Sequence, residues 1–236
     1  ITGINFMALT HTPLNPAIDP MFKVASNSLA MPGVMIANFL MESGAFGGLV
    51  KASLTYQASA DFKAYVDTLY PSGASEAELV GVFNGFYASL DSSAKASLDG
   101  GFAQFTLIAQ TVTGSGDPIN YLGALAATQT PTHLIEVVGN GVDNLSDQVI
   151  PNTVSTAPLG GTEGAIALLG LPSVSQTTQG SGAVRFVNGH HGSILDPSTR
   201  AESPDPVLSA AATQEMQMQV TGFFATLGQM IMVTNE

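Results

Sequence analysis

The chain has 236 residues, 45% of them hydrophobic and only 10% charged, against about 25% charged in an average soluble chain. Eighteen acids against six bases leave a formal net charge of -12, which argues against recognition of nucleic acid or anionic lipid by charge, since both need clustered Lys and Arg. The apolar fraction excludes disorder, no stretch reaches the roughly 18 uninterrupted apolar residues of a membrane span, and the absence of cysteine removes disulfides, thiolate metal sites and Cys nucleophiles.

Residues 1–9 carry apolar side chains at Ile1, Ile4, Phe6, Met7 and Leu9, which predicts a short buried helix. Pro13, Pro16 and Pro20 end it in a loop. Residues 22–30 read as a strand closed by Met31-Pro32-Gly33. Residues 34–126 lack strand character. Helices are predicted there over 34–41, 46–56, 60–69, 76–90 and 92–112, with Gly- and Ser-rich breaks between them. Ser59 before Asp61, and Ser75 before Glu76 and Glu78, are the expected helix starts.

After Pro131 the pattern changes. Residues 132–139 are a β-branched run of strand length that stops at Gly139, and a polar loop over 140–152 follows. A helix is predicted over 162–169, with Thr162 as its cap and Glu163 in its first turn. Residues 183–187 form a second short strand, and 207–227 a long final helix. Strands alternating with helices predict an α/β fold with a mostly parallel sheet. Three good strands are few for a sheet covered on both faces, so further strands are expected from residues ahead of Ile1. The start at Ile1-Thr2-Gly3, without Met, also reads as the remainder of something longer.

In open α/β sheets, catalytic groups collect beyond the carboxyl ends of the strands. Beyond 132–139 stands Asp143-Asn144-Leu145-Ser146-Asp147, and beyond 183–187 stands Gly189-His190-His191-Gly192-Ser193. An acid on one loop and a His on the next is the order needed for a general base and the carboxylate that orients it. Asp143 and Asp147 compete for the first role, His190 and His191 for the second. His11 in the Pro-rich loop and His133 at a strand start read as structural, and Asp196 before Pro197 as a turn residue. The Asp/Asn-rich run 140–144 lacks the spacing of a calcium loop. Gly114-Ser115-Gly116 and Gly180-Ser181-Gly182 do not join a strand to a helix as a phosphate loop would.

Ser146-Asp147-Gln148-Val149-Ile150-Pro151 and Gly189-His190-His191-Gly192-Ser193 resemble the acid and His loops of α/β-hydrolases. More narrowly, the chain is similar to the bacterial extracellular lipases of the Pla-1/cef type, the virulence-factor lipases. Leu29-Ala30-Met31-Pro32-Gly33-Val34, Ser43-Gly44-Ala45-Phe46-Gly47 and Pro158-Leu159-Gly160-Gly161-Thr162-Glu163 occur in the order of that family, so the resemblance covers most of the chain. It implies that Asp147 is the triad acid and His191 the general base. It divides the chain into 1–33, a nucleophile-side helix and strand; 34–126, a helical cap or lid insertion; and 127–236, the end of the hydrolase core with both loops.

One element of the pattern is missing. A hydrolase of this kind needs a Gly-x-Ser-x-Gly elbow on a strand-to-helix turn, upstream of the acid, and residues 1–236 contain none. The nucleophile is therefore expected a few residues before Ile1, on an N-terminal part of the same protein, possibly as a separate chain. This chain alone is expected to be inactive. Met31, Met35, Phe39, Leu40, Met41, Phe46 and Leu49 gather in sequence as an acyl-chain pocket or as ordinary helix packing. The resemblance implies a serine carboxyl-ester hydrolase of lipid esters, working without metal or cofactor. Its location would be extracellular or on the outer cell surface, with peripheral contact between the cap and lipid. The alternatives are a non-catalytic lipid-binding surface protein and an acyltransferase using the same triad.

Overall fold

A computed structural model describes residues 1–234. Four parallel strands form the central sheet: β1 (Asn27–Ala30), β2 (Thr132–Val137), β3 (Ser173–Val174) and β5 (Gly182–Phe186), in the order β1-β2-β5-β3. Leu29 pairs with Leu134, and Ile135 with Val184. All six residues of β2 are buried. A parallel sheet is covered on both faces, so its central strand is buried along its length, the polar Thr132, His133 and Glu136 included. The short strand β3 goes beyond the three strands read from the sequence. So does an antiparallel pair, β4 (Thr178–Gln179) with β6 (Met230–Ile231). Runs of two residues carry no periodicity by which to find them.

Alternation along the strands sends side chains to two layers. On one face Leu29, Leu134 and Ala183 meet α1 (Thr2–Thr10), α7 (Leu122–Ala127) and α8 (Gly161–Leu169), through Ile4, Met7, Leu122, Leu125, Ala165 and Ile166. On the other face Ile135, Val137, Val184 and Phe186 meet Ala212, Met216 and Phe223 of α9 (Pro206–Ala225). Phe223 is fully buried, and truncating such a side chain to Ala costs about 3–5 kcal/mol. α1 is not buried all round: Phe6 and Leu9 are each 56% exposed. β1 is shorter than the predicted strand and, among the described residues, pairs only with β2, so its outer edge is open.

A second apolar cluster holds the helices α2 (Ile36–Glu42), α3 (Gly47–Ala58), α4 (Ala60–Leu69), α5 (Glu76–Ser89) and α6 (Ser92–Thr113). Its centre is Met41, Ala52, Phe62, Val66, Phe83 and Phe102. Phe62 and Phe83 meet edge-to-face with centroids 6.3 Å apart, a favoured aromatic geometry. The expected starts hold where a side chain satisfies the free first-turn N–H groups. Ser59 accepts from Phe62, and Ser75 forms a reciprocal capping box with Glu78. Thr162 does not cap α8. Gly160 holds that position, and the Thr162 hydroxyl donates to the Pro32 carbonyl, tying α8 to the turn after β1. α7 belongs to the sheet layer by its packing and not to the cluster of α2–α6. Among the described residues, no helix is long and apolar enough to cross a membrane.

Candidate functional site

β2 and β5 are neighbours, so the loops beyond their carboxyl ends lie side by side. The loop after β2 is built by asparagines. Asn140 Oδ1 accepts the N–H groups of Val142, Asp143 and Asn144 at 2.9, 3.1 and 3.0 Å. The Asp147 N–H then donates to the Val137 carbonyl at 3.1 Å, returning the chain to the strand end.

Asp147 is 2% exposed. Its Oδ1 accepts from the N–H groups of Val149 and Ile150 at 2.8 and 3.1 Å, and its Oδ2 lies 2.7 Å from Nδ1 of His191. A buried carboxylate is tolerated when its lone pairs are used in this way. The bond fixes the proton of the neutral imidazole on Nδ1, which leaves the Nε2 lone pair free. The His191 side chain is 34% exposed. Among the described residues, none donates to or accepts from its Nε2. An oriented imidazole with an open basic nitrogen can remove a proton from a hydroxyl.

The two competitors have other work. His190 is buried, its Nδ1 accepts from the Gly192 N–H at 3.0 Å, and its Nε2 donates to the Ser198 carbonyl at 3.1 Å. Both ring nitrogens are therefore occupied. Asp143 is exposed and accepts from Asn140 Nδ2 at 2.8 Å within its own loop. His11 Nδ1 bonds the Met7 carbonyl at the end of α1. His133 is fully buried between Ser28 and Gln219, and burial lowers its pKa to about 4 despite the Gln219 bond. Asp196 accepts from Ser198 and pairs with Arg200 in a turn. No cluster of three or more His, Asp or Glu among the described residues is arranged to hold a metal ion.

The apolar residues expected at an acyl pocket are divided. Phe39 joins Ile150, Val154 and Ala157 just beyond the acid, with Met35 and Leu40 beside it. Met31 packs instead in the layer against α9, Met41 in the helical cluster, and Phe46 is 45% exposed. Met31 and Met35 take left-handed backbone conformations, with φ of 43° and 59°. This is uncommon for a side chain of that size and occurs where the surroundings over-determine the backbone.

The start of the helical layer grips the acid loop. The Ser43 hydroxyl and the Ala45 N–H both donate to the Gln148 carbonyl, at 3.0 and 2.8 Å. Gly44 lies close enough that a Cβ there would meet the Gln148 side-chain amide. The Glu42 carboxylate accepts from the N–H and hydroxyl groups of Ser155 and Thr156. Burial pushes the Glu42 carboxyl up, but these bonds outweigh it and hold it below its ordinary value.

Two features were not read from the sequence. Glu136, inside β2, is 1% exposed, lies 3.0 Å from Arg185 Nε, and faces Glu163, which takes Arg185 in a two-pronged pair at 2.9 and 2.7 Å. Burial, then the Glu163 charge, push Glu136 up to about 8 against the pull of Arg185. A charged residue inside a strand expected to be covered on both faces is the signal that could have found it. The second is Asn144, buried between the two loops. Its role depends on a partner 45 residues away in sequence, Gly189. No family model, curated protein or solved structure matches the chain.

Proposed function

We propose that the chain forms part of an α/β-hydrolase of the lipase type, a serine carboxyl-ester hydrolase acting on lipid esters. The Asp147–His191 pair carries this reading: 2.7 Å apart, on loops beyond neighbouring parallel strands, in the order acid then base, with Nε2 unpartnered among the described residues. A serine supplied from outside residues 1–236 would give its proton to His191 Nε2 as its Oγ attacks the ester carbonyl. The imidazolium, stabilised by Asp147, would return that proton to the leaving alcohol oxygen as the C–O bond breaks. Water, deprotonated by the same His191, would then release the fatty acid from the acyl-serine.

The need for a completing N-terminal part is supported by the open edge of β1 and by exposed Phe6, Leu9, Leu14, Met21 and Phe22. Apolar groups in such number on one short segment mark a contact surface. Met35, Phe39 and Leu40, next to the acid loop, are the acyl-contacting residues of this reading. Contact of the cap with a lipid surface is supported by Phe105, Ile108 and Val112, exposed at helical spacing along α6. The extracellular or outer-surface location and the substrate class rest on the resemblance of the loops alone.

The test is ester hydrolysis by the complete protein, including the residues encoded before Ile1. His191→Ala is expected to lower kcat by about three to six orders of magnitude, as loss of a triad base does. Undiminished hydrolysis by that variant would refute His191 as the base; a complete protein that hydrolyses no ester, or that has no serine in an elbow ahead of Ile1, would refute the enzyme reading in favour of a lipid-binding protein. Products formed with and without an added alcohol separate hydrolysis from acyl transfer.

A further inference from the structure

The acid and the base sit on different loops, 44 residues apart in sequence. A bond of 2.7 Å between them requires the two loops to hold a fixed separation. Among the described residues, only one side chain of the acid loop is hydrogen-bonded to the backbone of the His turn in both directions. Asn144 Oδ1 accepts from the Gly189 N–H at 3.0 Å, and Asn144 Nδ2 donates to the Gly189 carbonyl at 2.9 Å. The same Nδ2 donates to the Leu145 carbonyl at 2.9 Å. The amide thus pairs with Gly189 as one strand pairs with the next, just where the ladder between β2 and β5 has ended at Val137 and Phe186. Asn144 is 4% exposed, so water does not compete for these bonds.

Gly189 is fitted to this arrangement. Its φ is +106°, a conformation that side chains rarely adopt, and a Cβ there would stand 2.9 Å from Ser193 Oγ. Ser193 Oγ in turn accepts from the His190 N–H at 2.8 Å. The His turn is therefore held from inside by Ser193 and His190 and from outside by Asn144.

We propose that Asn144 is a positioning residue that sets the separation and orientation of Asp147 and His191. This rests on the proposed hydrolase reading for its consequence in catalysis, but the juxtaposition itself does not need that reading. An amide is suited to the role. An aspartate at 144 would keep the acceptor for the Gly189 N–H but face the Gly189 carbonyl with a second oxygen. An alanine would free both groups.

The experiment has a structural and a catalytic readout. In the chain of residues 1–236, the Nδ1 proton of His191 should give a far-downfield NMR signal that disappears in His191→Gln and in Asp147→Asn. In Asn144→Ala that signal is expected to broaden or move upfield, with the circular dichroism spectrum unchanged. Asn144→Asp, which keeps one Gly189 bond but buries a carboxylate oxygen against the Gly189 carbonyl, should alter it at least as much; the uncharged Asn144→Ser, whose hydroxyl can serve one of the two Gly189 groups, should fall between and carries the test if Asn144→Ala does not fold. In the complete protein, Asn144→Ala should lower kcat by about 10- to 100-fold with little change in KM, as expected when a catalytic group is misplaced by an ångström or less. A downfield signal unaltered in folded Asn144→Ala or Asn144→Ser overturns the positioning role. An altered signal in a complete protein that never hydrolyses esters leaves the positioning role standing and removes the hydrolase reading.

Discussion

Ionisation of Glu136 destabilises the fold. Its carboxyl lies in the centre of the sheet and is raised from an ordinary value of 4.5 to about 8, first by burial and then by the charge of Glu163. Arg185 cannot neutralise both acids, and its two-pronged geometry goes to Glu163, whose own carboxyl is held low mainly by that bond. The sign follows from linkage. A group whose pKa is raised by folding contributes fully below its unfolded value, and the contribution is lost as pH rises through the folded value. For Glu136 the loss begins near 4.5 and is complete above about 8. Each pH unit in that interval removes about 1.4 kcal/mol, so the full span removes on the order of 5 kcal/mol, a large share of the stability of an ordinary domain. Glu136→Gln keeps the shape without the charge. Urea unfolding followed by circular dichroism between about pH 6 and pH 9 should show wild-type stability falling steeply, while the variant changes much less and becomes the more stable protein at the alkaline end. Parallel curves for the two proteins would refute the assignment of the buried proton to Glu136.

His190→Ala removes two ring bonds at a buried site and is expected to cost about 2–3 kcal/mol of stability, seen as a lower urea midpoint. His191→Ala, at a half-exposed ring, should cost less stability and far more hydrolysis; a larger activity loss at 190 reverses the assignment of the base. Glu42→Gln weakens the carboxylate bonds to Ser155 and Thr156, worth about 1–3 kcal/mol together. Because the Glu42 carboxyl is held low, that stability is present above 4.5 and fades as pH falls through the folded value, so wild type and variant should converge in acid. Gly139→Ala drives a Cβ into the backbone of Leu145 and Ser146, beside Asp147, at a φ of +76° that side chains rarely adopt. It should lower hydrolysis by the complete protein and Tm together, whereas Gly85→Ala, with nothing near its Cβ, should leave both intact or raise Tm.

Much of the α/β outline was legible because its signals are local. β2 announces itself by the β-branched Thr132, Ile135, Val137 and Val138 ahead of Gly139, and the capping box at Ser75 by a serine three residues before a glutamate. The ends of β1 and the strands β3, β4 and β6 were not legible, since runs of two to four residues become strands only through the partners they find. Thr162 looked like a cap by its place before Glu163, yet its hydroxyl finds a better acceptor in Pro32, 130 residues away. Met31, Met35, Phe39, Leu40 and Phe46 are neighbours in sequence but not in space: Met31 packs against α9, Met35, Phe39 and Leu40 lie by Ile150, and Phe46 is 45% exposed.

The site divides in the same way. Residue types and strand order in the sequence already set an acid on one loop and a histidine pair on the next, because loops beyond adjacent parallel strands must converge. Which histidine faces the acid was settled only by folding. His190 turns inward to Gly192 and Ser198, and His191 turns outward to Asp147. The same holds for Asn144, whose amide has meaning only against Gly189, and for Glu136, whose proton is held by burial and by Glu163. Local sequence determines what a backbone segment prefers. Only tertiary structure determines which polar groups lose water, and so which must find one another.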